Sequence, residues 1–276
     1  MSKPTAAGQF LRLVEIMATL RGPGGCPWDR EQTTDSLKPF VLEETYEVLE
    51  AIDRHDHAAL CEELGDFLFE AVFLAQLEAE SEHFTIADSL KSICDKLVRR
   101  HPHVFARGEG EGPLDSAGQV RVRWEEIKAQ EPGTGSGKGG GKTLLGSVPA
   151  TLPSLLRAYQ IGLRAASVGF DWPRAPDVVE KIQEEVAELR EVVADDTPPD
   201  PARAEEEMGD LLFAIANLSR KLGIEPETAL RKANDKFTGR FAAMERVLAD
   251  AGRTMRGLSL EELEREWQRV KSRQAG

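Results

Sequence analysis

Acidic side chains at helical spacing are the residues of this sequence best suited to chemistry. Two pairs of acids occur in the first half of the chain, and two matching pairs recur in the second half. The first set is Glu44, Glu47, Glu63 and Asp66, and the second is Glu185, Glu188, Glu207 and Asp210. Carboxylate oxygens are the ligands that Mg²⁺ and Mn²⁺ prefer. Each set therefore predicts a divalent-cation site between two facing helices.

The apolar neighbours of these acids strengthen that prediction. A helix turns about 100° per residue, which places Glu44 on the same face as Leu37, Val48 and Ala51. Glu185 is flanked by apolar residues in the same way, and the helices that carry the other two acids of each set are apolar almost all round. Four carboxylates near buried faces lose hydration and repel one another unless a cation neutralises them. We therefore expect both quartets to lie at least partly buried and to bind a metal ion.

The rest of the sequence repeats with the same spacing. The acid pairs recur after 141 and 144 positions, and two further blocks recur after 140 and 143. Nearly constant offsets over four blocks indicate a duplicated module. The repeated cationic and aromatic positions are Lys96, Arg100, Trp124 and Lys128 in the first module, and Lys236, Arg240, Trp267 and Lys271 in the second.

These repeated cations suggest a ligand for the metal. Lysine and arginine can clamp the phosphate charge that a metal leaves unneutralised, and tryptophan can stack on a base. A further tryptophan, Trp28 or Trp172, precedes the carboxylate helix of each module and serves either as an apolar cover or as a nucleotide lid. The combination predicts a polyphosphate site beside the acids.

Helical periodicity runs through nearly all of the chain, which predicts an all-α fold. The expected helices cover 8–20, 35–53, 56–80, 86–100 and 117–131, then 151–168, 175–194, 200–222, 226–250 and 259–273. Asp35 and Asp177 are the expected N-caps of the two carboxylate helices. A glycine-rich segment at 132–146 predicts a flexible linker between an N-terminal module at 1–131 and a C-terminal module at 147–276.

Composition limits the possible functions. The chain has 276 residues and a formal net charge of −13, which disfavours stable binding to nucleic acid or to a membrane surface. Its three scattered cysteines indicate neither a disulfide framework nor a zinc site. No signal pattern or bilayer-spanning stretch is apparent, so a cytoplasmic location is expected.

Two alternative interpretations differ in chemistry. A carboxylate-bridged di-iron bundle would normally add Glu-x-x-His pairs, and neither acid pair has a histidine at that spacing. A non-catalytic helical interaction module would use the acids to bind a basic partner, without a metal. Oxygen consumption would favour the first alternative, and indifference to metal would favour the second.

Several motifs give the chain a resemblance to a known family. They are residues 25–29 (GCPWD), the two EExxE…ExxD sets, residues 99–105 (RRHPHVF) and residues 209–213 (GDLLF). With these motifs the sequence resembles MazG, the all-α nucleoside triphosphate pyrophosphohydrolase family. The resemblance implies tandem helical bundles that form a homodimer, and Mg²⁺-dependent hydrolysis of NTPs and dNTPs to the monophosphate and pyrophosphate.

The resemblance also implies residue roles, chiefly in the C-terminal module. Metal ligands would be the second acid quartet, and nucleotide contacts would be Lys236, Arg240, Trp267 and Lys271. A spare carboxylate, Glu184 or Glu206, could activate the attacking water. Asn217 is a further candidate substrate contact because it lies on the Asp210 face, where the N-terminal module has Phe73.

Overall fold

The computed structural model describes residues 5–105, 143–193 and 200–274. Within these ranges every regular element is helical, which confirms the all-α prediction. The chain divides into two compact units, Met1–Gln130 and Glu131–Gly276. Among the described helices, none has both the length and the apolar character that crossing a bilayer would require.

The first unit is built on a helical hairpin. Its elements are α1 (Ala6–Arg21), α2 (Pro27–Glu31), α3 (Lys38–Asp53), α4 (His57–Glu80), α5 (Ile86–Arg100) and α6 (Pro102–Phe105). Helices α3 and α4 are joined by a three-residue turn and pack along each other, while α1 and α5 pack on α4. The core residues are Met17, Leu37, Val72, Phe73 and Leu77. This arrangement holds the two acid-bearing helices of the N-terminal quartet side by side.

Local capping fixes where the helices of the hairpin begin. Asp56 accepts hydrogen bonds from the backbone N–H groups of Ala58 and Ala59, and so starts α4. A reciprocal capping box between Thr85 and Asp88 starts α5. These caps set the register of α4, and with it the positions of its acids.

The second unit repeats the hairpin with different surroundings. Its elements are a 3₁₀ turn (Leu145–Ser147), α7 (Ser154–Ala166), α8 (Ala175–Val193), α9 (Pro201–Lys221), α10 (Pro226–Asp250) and α11 (Leu260–Gln274). Helix α8 packs along α9, α7 packs on both α9 and α10, and α11 packs on α10. Met244, Leu248 and Val270 form the core between α10 and α11. Helices α8 and α9 thus correspond to α3 and α4.

Gly162 permits a close approach between α7 and α9. A Cβ atom added at Gly162 would lie 2.4 Å from Oδ1 of Asn217 and 3.0 Å from Nε of Arg220. Such a distance is well inside van der Waals contact, so a larger residue would separate the two helices. The glycine therefore brings α7 against the helix that carries Glu207 and Asp210.

Most predicted helices match the observed bounds to within a few residues, but both predicted N-caps are wrong. Helix α3 begins at Lys38 after Leu37, and Asp35 forms an ion pair with Lys38 instead of capping the helix. Helix α8 begins at Ala175, so Asp177 lies inside its first turn, where it accepts a hydrogen bond from the backbone N–H of Arg174. The predicted helix at 117–131 and the linker up to residue 142 lie outside the described residues.

Candidate metal and nucleotide site

Three acids of the C-terminal quartet meet at one point between α8 and α9. Glu185, Glu207 and Asp210 each offer a carboxylate oxygen, and these three oxygens lie within 4.8 Å of one another. The fourth acid, Glu188, is not part of this trio. It lies close enough that burial, and then the charges of Glu207 and Glu185, raise its pKa. The trio is compact enough to coordinate a single divalent ion.

Glu185 is the most buried of these acids, and only one of its two carboxylate oxygens has a partner. Its residue exposure is 3%, and its Oε2 atom is buried with no hydrogen-bond partner. Its Oε1 atom lies 2.7 Å from Nζ of Lys181, one helical turn earlier. Lys181 also pairs with Glu184 at 2.7 Å, and hydrogen bonds to Glu184 and then Glu185 raise the pKa of this lysine. A buried carboxylate oxygen without a donor fits a metal ligand.

The N-terminal quartet repeats the same trio between α3 and α4. One oxygen from each of Glu44, Glu63 and Asp66 lies within 4.8 Å of the other two. Burial, followed by the charges of Glu47, Asp66 and Glu63, raises the pKa of Glu44. Burial and then Glu47 likewise raise the pKa of Glu63. The Oε2 atom of Glu44 is buried without a partner. These carboxylates are crowded and mutually repulsive, as a cation-binding cluster is before it binds its ion.

The quartets are more exposed than the apolar helix faces predicted. Glu185 alone among the eight acids is buried, while Glu47, Asp66 and Asp210 are exposed. Both quartets are therefore partly buried, as expected, but neither is fully enclosed. Each trio combines a buried or half-buried glutamate pair with an exposed aspartate, so one side of each cluster faces solvent.

Glu70 is a further acid near the N-terminal trio. It lies on α4, one turn after Asp66, and is 6% exposed with a buried, unpartnered Oε2 atom. Burial, and then the charge of Glu44, raise its pKa to about 6. Glu70 was not among the site residues predicted from the sequence. Its spacing of four residues from Asp66 was the available signal.

The predicted cations of the C-terminal module lie on α10 and α11. Lys236 and Lys271 are exposed, and Arg240 is half-buried. Trp267 packs on Phe237 with ring centroids 5.0 Å apart and borders the core of Met244, Leu248 and Val270. The structure thus places these side chains in the same unit as the acid trio, and their contact with nucleotide stays a prediction.

The corresponding residues of the N-terminal module are only partly described. Lys96 and Arg100 lie one turn apart on α5 and are half-buried. Trp124 and Lys128 lie outside the described residues. The predicted phosphate and base contacts of this module therefore stay predictions.

Asn217 belongs to a buried polar network that holds the Trp172 loop. It is 2% exposed, its amide donates to the carbonyl of Phe213, and its Oδ1 accepts from Arg220. Arg220 also binds the carboxylate of Asp171 through two nitrogens. Asn217 therefore positions an arginine that anchors the loop, while its predicted direct contact with substrate stays untested.

Lys221 completes this anchor. It pairs with Asp171 at 2.5 Å and donates to the backbone carbonyl of Trp172. Although burial raises the pKa of Asp171, the hydrogen bonds from Arg220 and Lys221 outweigh it and lower the pKa below its ordinary value. The Trp172 loop is thereby fixed to the C-terminal end of α9.

The two candidate bases, Glu184 and Glu206, are both exposed and lie outside the trio. Each precedes a trio member by one residue, which turns it about 100° away from that neighbour. Glu184 is engaged by Lys181. Their role in activating water stays a prediction.

Sequence reasoning overlooked two basic partners of the C-terminal trio. Lys181 precedes Glu185 by four residues, and Arg203 precedes Glu207 by four, with its Nε 3.8 Å from the Glu207 carboxylate. Both pairs have the standard i,i+4 spacing of helical ion pairs. That spacing was the signal that could have revealed them.

The fold and the site together define a duplicated all-α protein with a carboxylate cluster that could hold a metal ion in each helical unit. A family model described as the MazG nucleotide pyrophosphohydrolase domain matches residues 32–105 and 176–243, the segments that carry both trios. The chain belongs to this MazG family, as its motifs predicted.

Individual relatives match over nearly the full length. A nucleoside triphosphate pyrophosphohydrolase of Escherichia coli (strain K12) is 47% identical over 264 residues, covering 95% of this chain and 97% of that protein. The nucleoside triphosphate pyrophosphohydrolase/pyrophosphatase MazG of Thermotoga maritima is 45% identical over 262 residues, covering 95% of each. The similarity therefore includes both modules.

Proposed function

We propose that this protein hydrolyses nucleoside and deoxynucleoside triphosphates to the monophosphate and pyrophosphate, using Mg²⁺ held mainly by the C-terminal cluster. Mn²⁺ would serve as a substitute. Membership of the MazG family and the names of the near-full-length relatives support the reaction class. A role in clearing unwanted nucleotides from the cytoplasm fits this chemistry.

The observation that carries the proposal is the state of Glu185. Its carboxylate is 3% exposed, and although Lys181 pairs with one oxygen, the other oxygen is buried without a donor and is left open to a cation. Glu207 and Asp210 supply two more oxygens within 4.8 Å, which gives an all-oxygen donor set suited to a hard cation. Glu188 would complete the set when the ion binds.

The roles of the chain's own residues follow from this placement. Bound Mg²⁺ would neutralise part of the negative charge on the phosphate oxygens and lower the pKa of a bound water molecule. The negative charge that develops on the pyrophosphate leaving group would be stabilised by Lys236, Arg240 and Lys271. Trp267 and Trp172 would contact the base, with Asn217 holding the loop of Trp172 through Arg220.

The proton of the attacking water would pass to Glu184 or Glu206. Both are exposed carboxylates next to trio members, and they lie on different helices. Substituting each of them singly by glutamine would discriminate between them. The variant that lacks the true base should have a lower kcat and little change in KM. Hydrolysis in ¹⁸O-water would show whether the α- or the β-phosphorus is attacked.

The central experiment is pyrophosphate release from a panel of normal and damaged nucleotides, with and without Mg²⁺. Wild type should release pyrophosphate only with the metal, and Glu185→Ala should release none. Pyrophosphate release without metal, or none from any nucleotide, would contradict the proposal. The second outcome would favour a non-catalytic interaction module.

A homodimer is the expected assembly. Large apolar side chains remain exposed on both acid-bearing hairpins: Leu64, Phe67 and Leu68 on α4, and Met208, Leu212, Phe213 and Ile215 on α9. Exposed apolar side chains that recur at helical spacing often mark an interface with another chain. Light scattering should give a dimer mass for wild type and a monomer mass for Leu212→Glu, with Leu260→Glu on α11 as the exposed control.

A further inference from the structure

The two acid trios differ in the residue that precedes their most buried member by one turn. Lys181 neutralises one oxygen of Glu185 at 2.7 Å. At the equivalent distance before Glu44 stands Phe40, an apolar residue that packs against the core of the first unit. The same ligand position is therefore paired with a cation in one module and with an aromatic ring in the other.

A second difference lies on the partner helix. Arg203 approaches Glu207 at 3.8 Å, whereas Ala59 holds the equivalent position, four residues before Glu63. Within the described residues, no lysine, arginine or histidine forms an ion pair with Glu44, Glu63 or Asp66. The N-terminal trio thus lacks both of the cations that accompany the C-terminal trio.

A third difference adds negative charge to the N-terminal site. Glu70 lies where the C-terminal module has Ala214, which is itself buried. Positions 63, 66 and 70 share one face of α4, because seven residues make almost two full turns. Glu70 is 6% exposed and its Oε2 atom has no partner, as is true of the Oε2 atom of Glu44. Two buried carboxylate oxygens in one cluster therefore lack a donor.

We infer that the N-terminal cluster is a resident divalent-cation site that fills without nucleotide, with Glu70 as an additional acidic group beside Glu44, Glu63 and Asp66. The C-terminal cluster, by contrast, fills together with its nucleotide. This inference rests on one part of the proposed function, the binding of a divalent cation by the acids. It does not require the protein to hydrolyse nucleotides.

Charge balance is the physical reason for the difference. An ion that enters the C-terminal trio must compete with Lys181 and Arg203 for the same carboxylates, and a nucleotide would supply both the ion and phosphate oxygens to replace these contacts. An ion that enters the N-terminal trio meets only carboxylates, two of which have bare buried oxygens. Each additional unpaired carboxylate strengthens the attraction for a hard cation and makes the empty site costlier.

Titration of the full-length protein with Mn²⁺ alone, followed by electron paramagnetic resonance of the unbound ion, tests this inference. Wild type and Glu185→Gln should both bind one ion tightly, and Glu44→Gln should lose that ion. Glu70→Gln should raise the dissociation constant for Mn²⁺ by roughly tenfold or more. Glu70→Asp, which keeps the negative charge, should recover part of the lost affinity. Glu62→Gln removes an exposed charge from the same helix and should change the constant less than about twofold.

The opposite pattern would overturn the inference. Loss of nucleotide-free Mn²⁺ binding in Glu185→Gln with retention in Glu44→Gln would assign the tight ion to the C-terminal cluster. An unchanged constant in Glu70→Gln would remove Glu70 from the site. Thermal unfolding of each variant checks that the fold is intact, and pyrophosphate release by wild type reports separately on the proposed function.

Discussion

The ammonium group of Lys181 lies 2.7 Å from Oε1 of Glu185, one turn later on the same helix, and leaves Oε2 of that carboxylate buried without a partner. The pair supplies a counter-charge to a buried carboxylate, which would be strongly destabilising without one. It also means that Lys181 competes with any ion for Glu185. We therefore expect Lys181 to influence how tightly the C-terminal cluster binds a metal ion.

Replacing Lys181 by methionine should change metal affinity and stability in opposite directions. Without the competing cation, the C-terminal cluster should bind Mn²⁺ roughly tenfold more tightly in the absence of nucleotide. The metal-free protein should lose about 1 kcal/mol of unfolding free energy, a small value because the lysine side chain is 35% exposed. Mn²⁺ titration in the Glu44→Gln background and urea unfolding measure the two effects, and weaker Mn²⁺ binding would show that Lys181 assists the ion.

Loss of a C-terminal ligand should abolish hydrolysis. Glu185→Ala and Asp210→Ala each remove a carboxylate from the trio, so pyrophosphate release should fall by about 100-fold or more. Glu205→Ala, an exposed acid on the same helix as Asp210, is the matched control and should retain activity. Glu44→Ala should keep most of the activity, because catalysis is assigned to the C-terminal module. A folded, dimeric Glu44→Ala protein without turnover would reverse that assignment.

Asp171→Asn should weaken the contact that holds the Trp172 loop against α9. The substitution leaves Arg220 and Lys221, whose side chains are 7% and 16% exposed, without their shared carboxylate. We expect a loss of about 3 kcal/mol in urea unfolding of the second unit at pH 7, together with a raised KM for nucleotide. Asp35→Asn breaks an exposed pair that solvent screens, so it should leave the free energy of unfolding nearly unchanged.

The same anchor should depend on pH in a defined direction. Because the pKa of Asp171 is lowered in the folded protein, its contribution to stability is complete above the ordinary value of 3.8. That contribution should disappear as the pH falls further, through the folded pKa. The stability difference between wild type and Asp171→Asn should therefore shrink below about pH 4. A difference that stayed constant across this range would argue against the ion pair.

Gly162→Ala should destabilise the second unit. The added methyl group would lie 2.4 Å from the Asn217 side chain, so α7 and α9 must move apart or the Asn217–Arg220 contact must break. A cost of about 1–3 kcal/mol is expected from such overpacking. Gly239→Ala is the control, since a Cβ atom there has no neighbour within 4 Å and alanine should stabilise α10 by about 0.5–1 kcal/mol.

The errors in the sequence-based prediction have local physical causes. Asp35 was expected to cap α3, but its neighbour Lys38 offered an ion pair, and the helix began three residues later than predicted. The polar network around Asn217 was also not predicted: Gly162 brings α7 so close that the Asn217 amide is enclosed and hydrogen-bonded. Both outcomes depend on which groups lie near each other in space, which helical periodicity does not specify.

The amino-acid sequence by itself determined the all-α class, the duplication and the acids of each trio, because these depend on periodicity and spacing along a helix. Only the tertiary structure separated Glu47 and Glu188 from the compact trios, enclosed Glu70 beside Glu44, and paired Asp171 with Arg220 across 49 residues. Burial and charge pairing arise from helices that meet in space, so they decide how each repeated acid is neutralised. The same motif therefore has basic partners in its C-terminal copy and apolar residues at the equivalent positions of its N-terminal copy.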